Sequence, residues 1–354
     1  MKSLLTFLFY AVATGSFVAS PAQADEPAAG KKWSAAGIMY LCDDSPGPLQ
    51  NQPAHFDNLA ANGLMFRTAW SEMEKNEGDY NWSKVDAMLA AAQVAHKPMG
   101  LGVAAGIRSP SWLAKTGVQM MTGRVIRSFA ATQTMSFPLP WDPVYLDKWG
   151  TFLNMLGKRY DSNPNLAYIT MAGMGIAFEP FMAKAPDDIE KFRSLGGLHS
   201  WTDGAEKIID LYAQAFPHTP FIFAMNRPIP TPDADDALST VVEYGLDKYP
   251  GRFGVMYHGL DSTTSELDYY GRTVEENSGK TTVGYQTVWS TTGINARWLK
   301  GSLEDVLESG VRTKAHFIEV YGSDCDDPQY SALLQRVGNE LKSLCGAIPP
   351  GRNG

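Results

Sequence analysis

The residues that could react fall into two groups. Between residues 63 and 113 the chain gathers Arg67, Trp70, Glu72, Glu74, Arg108 and Trp112. Further on, polar or aromatic residues close short apolar runs: Glu179, Asn226, His258, Gln286 with Trp289, and Glu319 with Tyr321. This set offers carboxylates for proton transfer or attack, a guanidinium to orient them, and amides, an imidazole and ring faces for a hydroxyl-rich ligand. Two carboxylates across an aromatic-lined cleft are what glycoside hydrolysis needs: one protonates the leaving oxygen, the other attacks the anomeric carbon or activates water. Rival chemistries lack their spacing. The six histidines are scattered without H-x-H or H-E-x-x-H, so no metal site is expected. No G-x-S-x-G elbow marks a serine hydrolase, and no cofactor is implied.

The elements that must carry these residues alternate between strand and helix. Apolar runs predict strands at 36–41, 64–70, 99–105, 166–172, 221–225, 253–257, 282–285 and 315–320. Between them, helices are expected at 56–62, 83–96, 143–160, 201–216, 237–249 and 303–310, with a last one at 329–344. Ser83 reads as an N-cap with Asp86 at N3, and Asp142 as an N-cap before Pro143 at N1. Residues 107–141 read as a long loop excursion walling a cleft. Eight such units between 36 and 346 predict a single (β/α)8 barrel, in which strand ends converge on one rim. A doubly wound open sheet is the alternative, but Cys42-Asp43-Asp44-Ser45-Pro46-Gly47 after the first strand lacks its glycine-rich turn. Strand parity sets Glu319 with Phe317 and Tyr321, opposite Ile318 and Val320. The aliphatic pair suits the helix side, which leaves Glu319 inside the barrel mouth.

Residues 1–24 read as an export signal: Lys2, an apolar stretch from Leu4 to Ala19, then Ala22-Gln23-Ala24. A secreted or periplasmic protein without a retained membrane anchor is expected, with a flexible leader at 25–35 and a tail at 347–354. The net charge of −8 argues against a nucleic-acid partner, since a phosphate-binding face needs a basic excess. The first and eighth strands are neighbours in a closed barrel, so Cys42 and Cys325, which follow them, share a rim and are expected to form a disulfide. Cys345 ends the last helix about 25 Å away and is expected to be free.

Arg67-x-x-Trp70-x-x-x-Glu74-x-x-x-Gly78-x-Tyr80-x-Trp82-x-x-x-Asp86 resembles a stretch of the clan A glycoside hydrolases, the family 42 β-galactosidases being the nearest type. The resemblance covers residues 63–113 and implies a barrel whose acid/base is a Glu ending strand four and whose nucleophile is a Glu ending strand seven. Glu179 fits the first position, although Phe178 replaces the usual Asn before it. Strand seven ends in Gln286, which cannot serve as nucleophile or base, so Glu319 is the nearest acidic candidate for that role. The expected protein is an exported glycosidase acting on a carbohydrate with Glu179 and Glu319 as catalytic pair. Arg67, Trp70, Glu72, Arg108, Trp112, Asn226, His258, Gln286, Trp289 and Tyr321 are expected to hold the substrate, while Glu74 is expected to brace its loop. The alternative is a glycan-binding barrel that has lost the strand-seven acid.

Overall fold

The computed structural model describes residues 32–41, 53–128 and 131–345. Eight parallel strands close into a barrel: β1 Gly37–Leu41, β2 Gly63–Ala69, β3 Met99–Ala104, β4 Leu166–Thr170, β5 Phe221–Ala224, β6 Phe253–Leu260, β7 Val283–Thr287 and β8 Phe317–Tyr321. Each strand pairs with its neighbours in sequence, and β1 closes the ring on β8. The expected (β/α)8 barrel is therefore the fold, with all eight strands where the apolar runs predict them.

Burial follows strand parity. Outward residues such as Ile318 and Val320 join the large apolar layer between sheet and helices, while Met39, Met65, Tyr168, Met256 and Phe317 fill the barrel interior. β3 is the thin wall. A Cβ on Gly100 would stand 2.3 Å from Tyr168 Cζ, and one on Gly102 would stand 2.7 Å from Phe178 Cε1. The missing side chains of β3 are thus what admit these two rings to the barrel.

Outside the sheet, the sequence reading holds in some elements and needs correction in others. The helix α1, Ser83–Val94, starts without a side-chain cap. Ser83 Oγ instead donates to Asn81 Oδ1, and Asp86 pairs with Arg159 and Tyr160, so the proposed cap residues are used elsewhere. Asp142 does cap α2, Pro143–Tyr160, accepting from the backbone N–H of Val144 and Tyr145. The helix expected at 56–62 is a short 3-10 turn, Pro53–Asp57. The excursion at 107–141 contains an antiparallel hairpin, Met120–Ser128 against Ala131–Pro138. Its alternation is present in the sequence, with Met121 and Gly123 buried and Thr122 and Arg124 exposed, but polar side chains disguise it. A helix at Tyr269–Asn277 was not expected, because its Tyr, Gly, Thr and Asn are poor helix formers. Asp268 caps it, accepting from Gly271 N at 2.8 Å.

At the bottom of the barrel, part of the expected leader is anchored. Lys32 Nζ donates to the carbonyl of Asn163 at 2.7 Å, and Trp33 packs against the interior cluster. Cys345 lies at this end, its sulfur 3.9 Å from the carbonyl oxygen of Ala35, whereas Cys325 follows β8 at the opposite rim. Cys42, with Asp43 and Asp44, lies outside the described residues, as do residues 1–31 and 346–354, so the expected Cys42–Cys325 disulfide, export signal and tail fall beyond them. Among the described residues no helix is long and apolar enough to cross a membrane.

Candidate active site

Two carboxylates anchor the C-terminal end of the barrel, at different depths. Glu319 pairs in register with Gln286 on β7 and Met39 on β1, one inward-facing position below Tyr321. Its side chain has no exposure, and both oxygens are engaged. Arg67 Nη2 donates to Oε2 at 3.0 Å, and the Tyr168 hydroxyl donates to Oε1 at 2.9 Å. Burial, followed by the charge of Glu319, pushes the Tyr168 phenol well above its usual range, so it stays a donor. Arg67 also donates to Gln286 Oε1, and Gln286 Nε2 donates to the Tyr321 hydroxyl at 3.3 Å. The floor of the mouth is therefore a continuous polar network: Tyr168, Glu319, Arg67, Gln286, Tyr321.

The second carboxylate stands higher. Glu179 follows β4 and keeps 29% of its side chain exposed. His258, on β6, places Nδ1 2.8 Å from Glu179 Oε1. Burial by itself would raise the Glu179 carboxyl. The bond and charge of His258, with the charge of Arg67, outweigh that and bring it down to about 2. Arg67 links the two levels, since its guanidinium lies 4.9 Å from the ring centroid of Phe178, the residue before Glu179.

The remaining sequence candidates divide by burial. Trp289 is partly exposed on the rim, its ring 6.0 Å from that of Tyr321, and the two form a tilted aromatic pair. Arg108 and Asn226 stand on the same rim, after β3 and β5, both partly buried. Trp70 does not reach the mouth: it is fully buried among Trp112, Trp149 and Phe152 in the layer behind the sheet. A ligand can touch none of it, so its expected substrate contact is corrected to core packing. Trp112 packs edge-on against Trp70 and donates to the carbonyl of Glu74 at 3.0 Å. Glu72 is paired on the surface with Lys84 at 2.7 Å.

The spacing of the recognised motif has a local physical cause. Glu74 Oε2 accepts from Trp70 Nε1 at 2.7 Å, and Oε1 accepts from Gly78 N at 2.8 Å. One carboxylate thus binds the residues four before and four after it. Gly78 takes φ +79°, the left-handed conformation that favours glycine. Tyr80 stacks on Trp82 at 5.2 Å, and Asp86 ties α1 to Arg159 of α2. Burial raises the Glu74 carboxyl, and the bonds from Gly78 and Trp70 offset part of the rise. Glu74 braces its loop, as expected. Of the motif, Arg67 is the member that joins the polar network of the mouth.

A family model described as the glycoside hydrolase family 42 β-galactosidase matches residues 61–173. Over those residues the chain resembles the family 42 β-galactosidases. The catalytic domain of β-amylase from Paenibacillus polymyxa superposes with a TM-score of 0.53 at 10% identity, over 90% of this chain and 100% of that one. The cold-adapted β-galactosidase from Rahnella sp. R3 gives 0.52 at 14% identity, over 91% of this chain and 58% of that one. The β-galactosidase from the psychrophilic Marinomonas ef1 gives 0.51 at 10%, over 88% and 60%. The chain spans less than two thirds of the length of these two β-galactosidases. At such identities the likeness shows the barrel fold alone. No curated protein matches the chain.

Tyr168 and Phe178 were missed as site residues by sequence reasoning. The signal for both was in β3, where two glycines two apart leave one face of a strand without side chains.

Proposed function

We propose that the protein is a glycoside hydrolase that cleaves an O-glycosidic bond of an oligo- or polysaccharide at the barrel mouth, with Glu179 as the reacting carboxylate. The observation that carries this reading is the Glu179–His258 pair: a partly open carboxylate at the end of β4, bonded to an imidazole from β6. The family 42 match over residues 61–173 supports the same substrate class, and the Trp289–Tyr321 pair offers a ring face for a sugar. Glu319 is fully buried, with each oxygen already bonded. Its role in this reading is to hold Arg67, whose charge reaches Glu179. In this reading Arg108 and Asn226, partly buried on the rim, bind substrate hydroxyls, while Gln286 belongs to the buried floor beside Glu319. Export by residues 1–24 would bring the enzyme to such a glycan.

A second reading, a glycan-binding barrel without turnover, is favoured by Gln286. It sets a neutral amide at the end of β7, where the clan places a carboxylate. Reducing-end release from a panel of polysaccharides and aryl glycosides separates the two. Turnover by the wild type, reduced by about 10²–10⁴ in Glu179→Gln with the fold retained, is the expected result. No turnover on the panel, with glycan binding kept by both proteins, establishes the binder.

A further inference from the structure

The surroundings of Glu179 decide which way a proton moves there. The His258 side chain is only 4% exposed, so the 2.8 Å contact forms away from bulk water. His258 Nε2 is buried without a hydrogen-bond partner, so among the described residues the contact to Glu179 is what orients the imidazole. From β2, Arg67 reaches over Phe178 toward Glu179. The other charged groups near these strand ends have partners of their own. Glu319 on β8 is bound to Arg67 and Tyr168, Glu74 after β2 to Trp70 and Gly78, and Glu72 to Lys84. After β5, Arg227 is paired with Asp235. A hydrogen shared by a carboxylate and an imidazole rests on the stronger base, the imidazole.

We propose that the hydrogen between Glu179 and His258 rests on Nδ1, so that Glu179 is an anion in the free protein. His258 is then a positioning residue that acts through Glu179. The chemical role rests on the glycosidase reading, whereas the charge state does not.

The test is a nuclear magnetic resonance titration of the full chain carrying ¹³C-glutamate and ¹⁵N-histidine, with Glu179→Gln used to assign the Glu179 signal. The expected wild-type result is a carboxyl carbon that keeps its ionised shift from about pH 8 to about pH 4 and a protonated Nδ1 on His258. In His258→Asn the Glu179 midpoint moves up by about one unit or more. A wild-type Glu179 that protonates at or above the ordinary glutamate range overturns the proposal, and so does a midpoint unmoved in His258→Asn. Should that variant fail to fold, the wild-type titration decides alone. An ionised Glu179 with no turnover on the glycan panel removes the glycosidase reading and leaves the charge assignment standing. Turnover with a protonated Glu179 does the reverse.

Discussion

Glu179 and Glu319 occupy the same end of the same barrel, yet their surroundings give them different work. Glu319 sits on a strand, in register with Gln286, and is sealed between a guanidinium and a phenol. Glu179 sits just beyond a strand, partly open, and has one buried imidazole for a partner. The difference teaches that strand parity alone does not make a carboxylate reactive. Parity turned Glu319 inward, but one inward-facing position of depth below Tyr321 placed it in the floor. There an ionised group must be fully paired, because burying an unpaired charge is costly.

The largest effect that tests this contrast is on folding. Glu319→Ala strands the buried Arg67 guanidinium and is expected to destabilise the protein by about 3–5 kcal/mol in urea unfolding. Glu179→Ala leaves Arg67 paired to Glu319 and is expected to cost less. Equal losses for the two would erase the distinction between floor and mouth. Next comes Tyr168→Phe, which removes one bond to the Glu319 carboxylate and is expected to cost about 1.5–3 kcal/mol. Gly100→Ala acts on the same phenol from β3, because its Cβ would stand 2.3 Å from Tyr168 Cζ. A loss of about 1–3 kcal/mol is expected from that overpacking.

Acid sharpens the comparison further. The Glu179 carboxyl falls from 4.5 to about 2 on folding, so its contribution is fully present above about pH 4.5 and is lost as pH falls toward 2. Glu74 is shifted the other way. Its contribution is present below its unfolded value and is lost as pH rises through its raised folded value. The thermal midpoint of Glu179→Gln should therefore fall less steeply than wild type between about pH 4.5 and pH 2. A parallel decline in the two proteins would contradict the Glu179–His258 contact as what holds the carboxyl down. The smallest effect belongs to the surface pair, where Glu72→Ala is expected to change stability by no more than about 0.5 kcal/mol.

The recognised motif offers a parallel lesson. It was the most legible stretch of the sequence because its contacts are local: Glu74 reaches four residues back and four forward, and Tyr80 meets Trp82. It frames the site, and through Arg67 it joins the polar network of the mouth. Trp70 misled the sequence reading for the same local reason. A tryptophan at a strand end suits a sugar platform or a core equally, and only its neighbours on α2 decide in favour of the core.

The sequence by itself determined the eight strands, their order and the inward parity of Glu319, since these follow from short apolar runs with a fixed period. It also determined the cap on α2 and the brace at Glu74, which need partners only a few residues away. The tertiary structure alone decided the pairings that define the site. Glu179 with His258, Arg67 with Glu319, and Tyr168 with Glu319 are separated by 79, 252 and 151 residues. Such contacts exist because barrel closure brings distant strand ends to one rim, and the two glycines of β3 make room for the rings that reach across it.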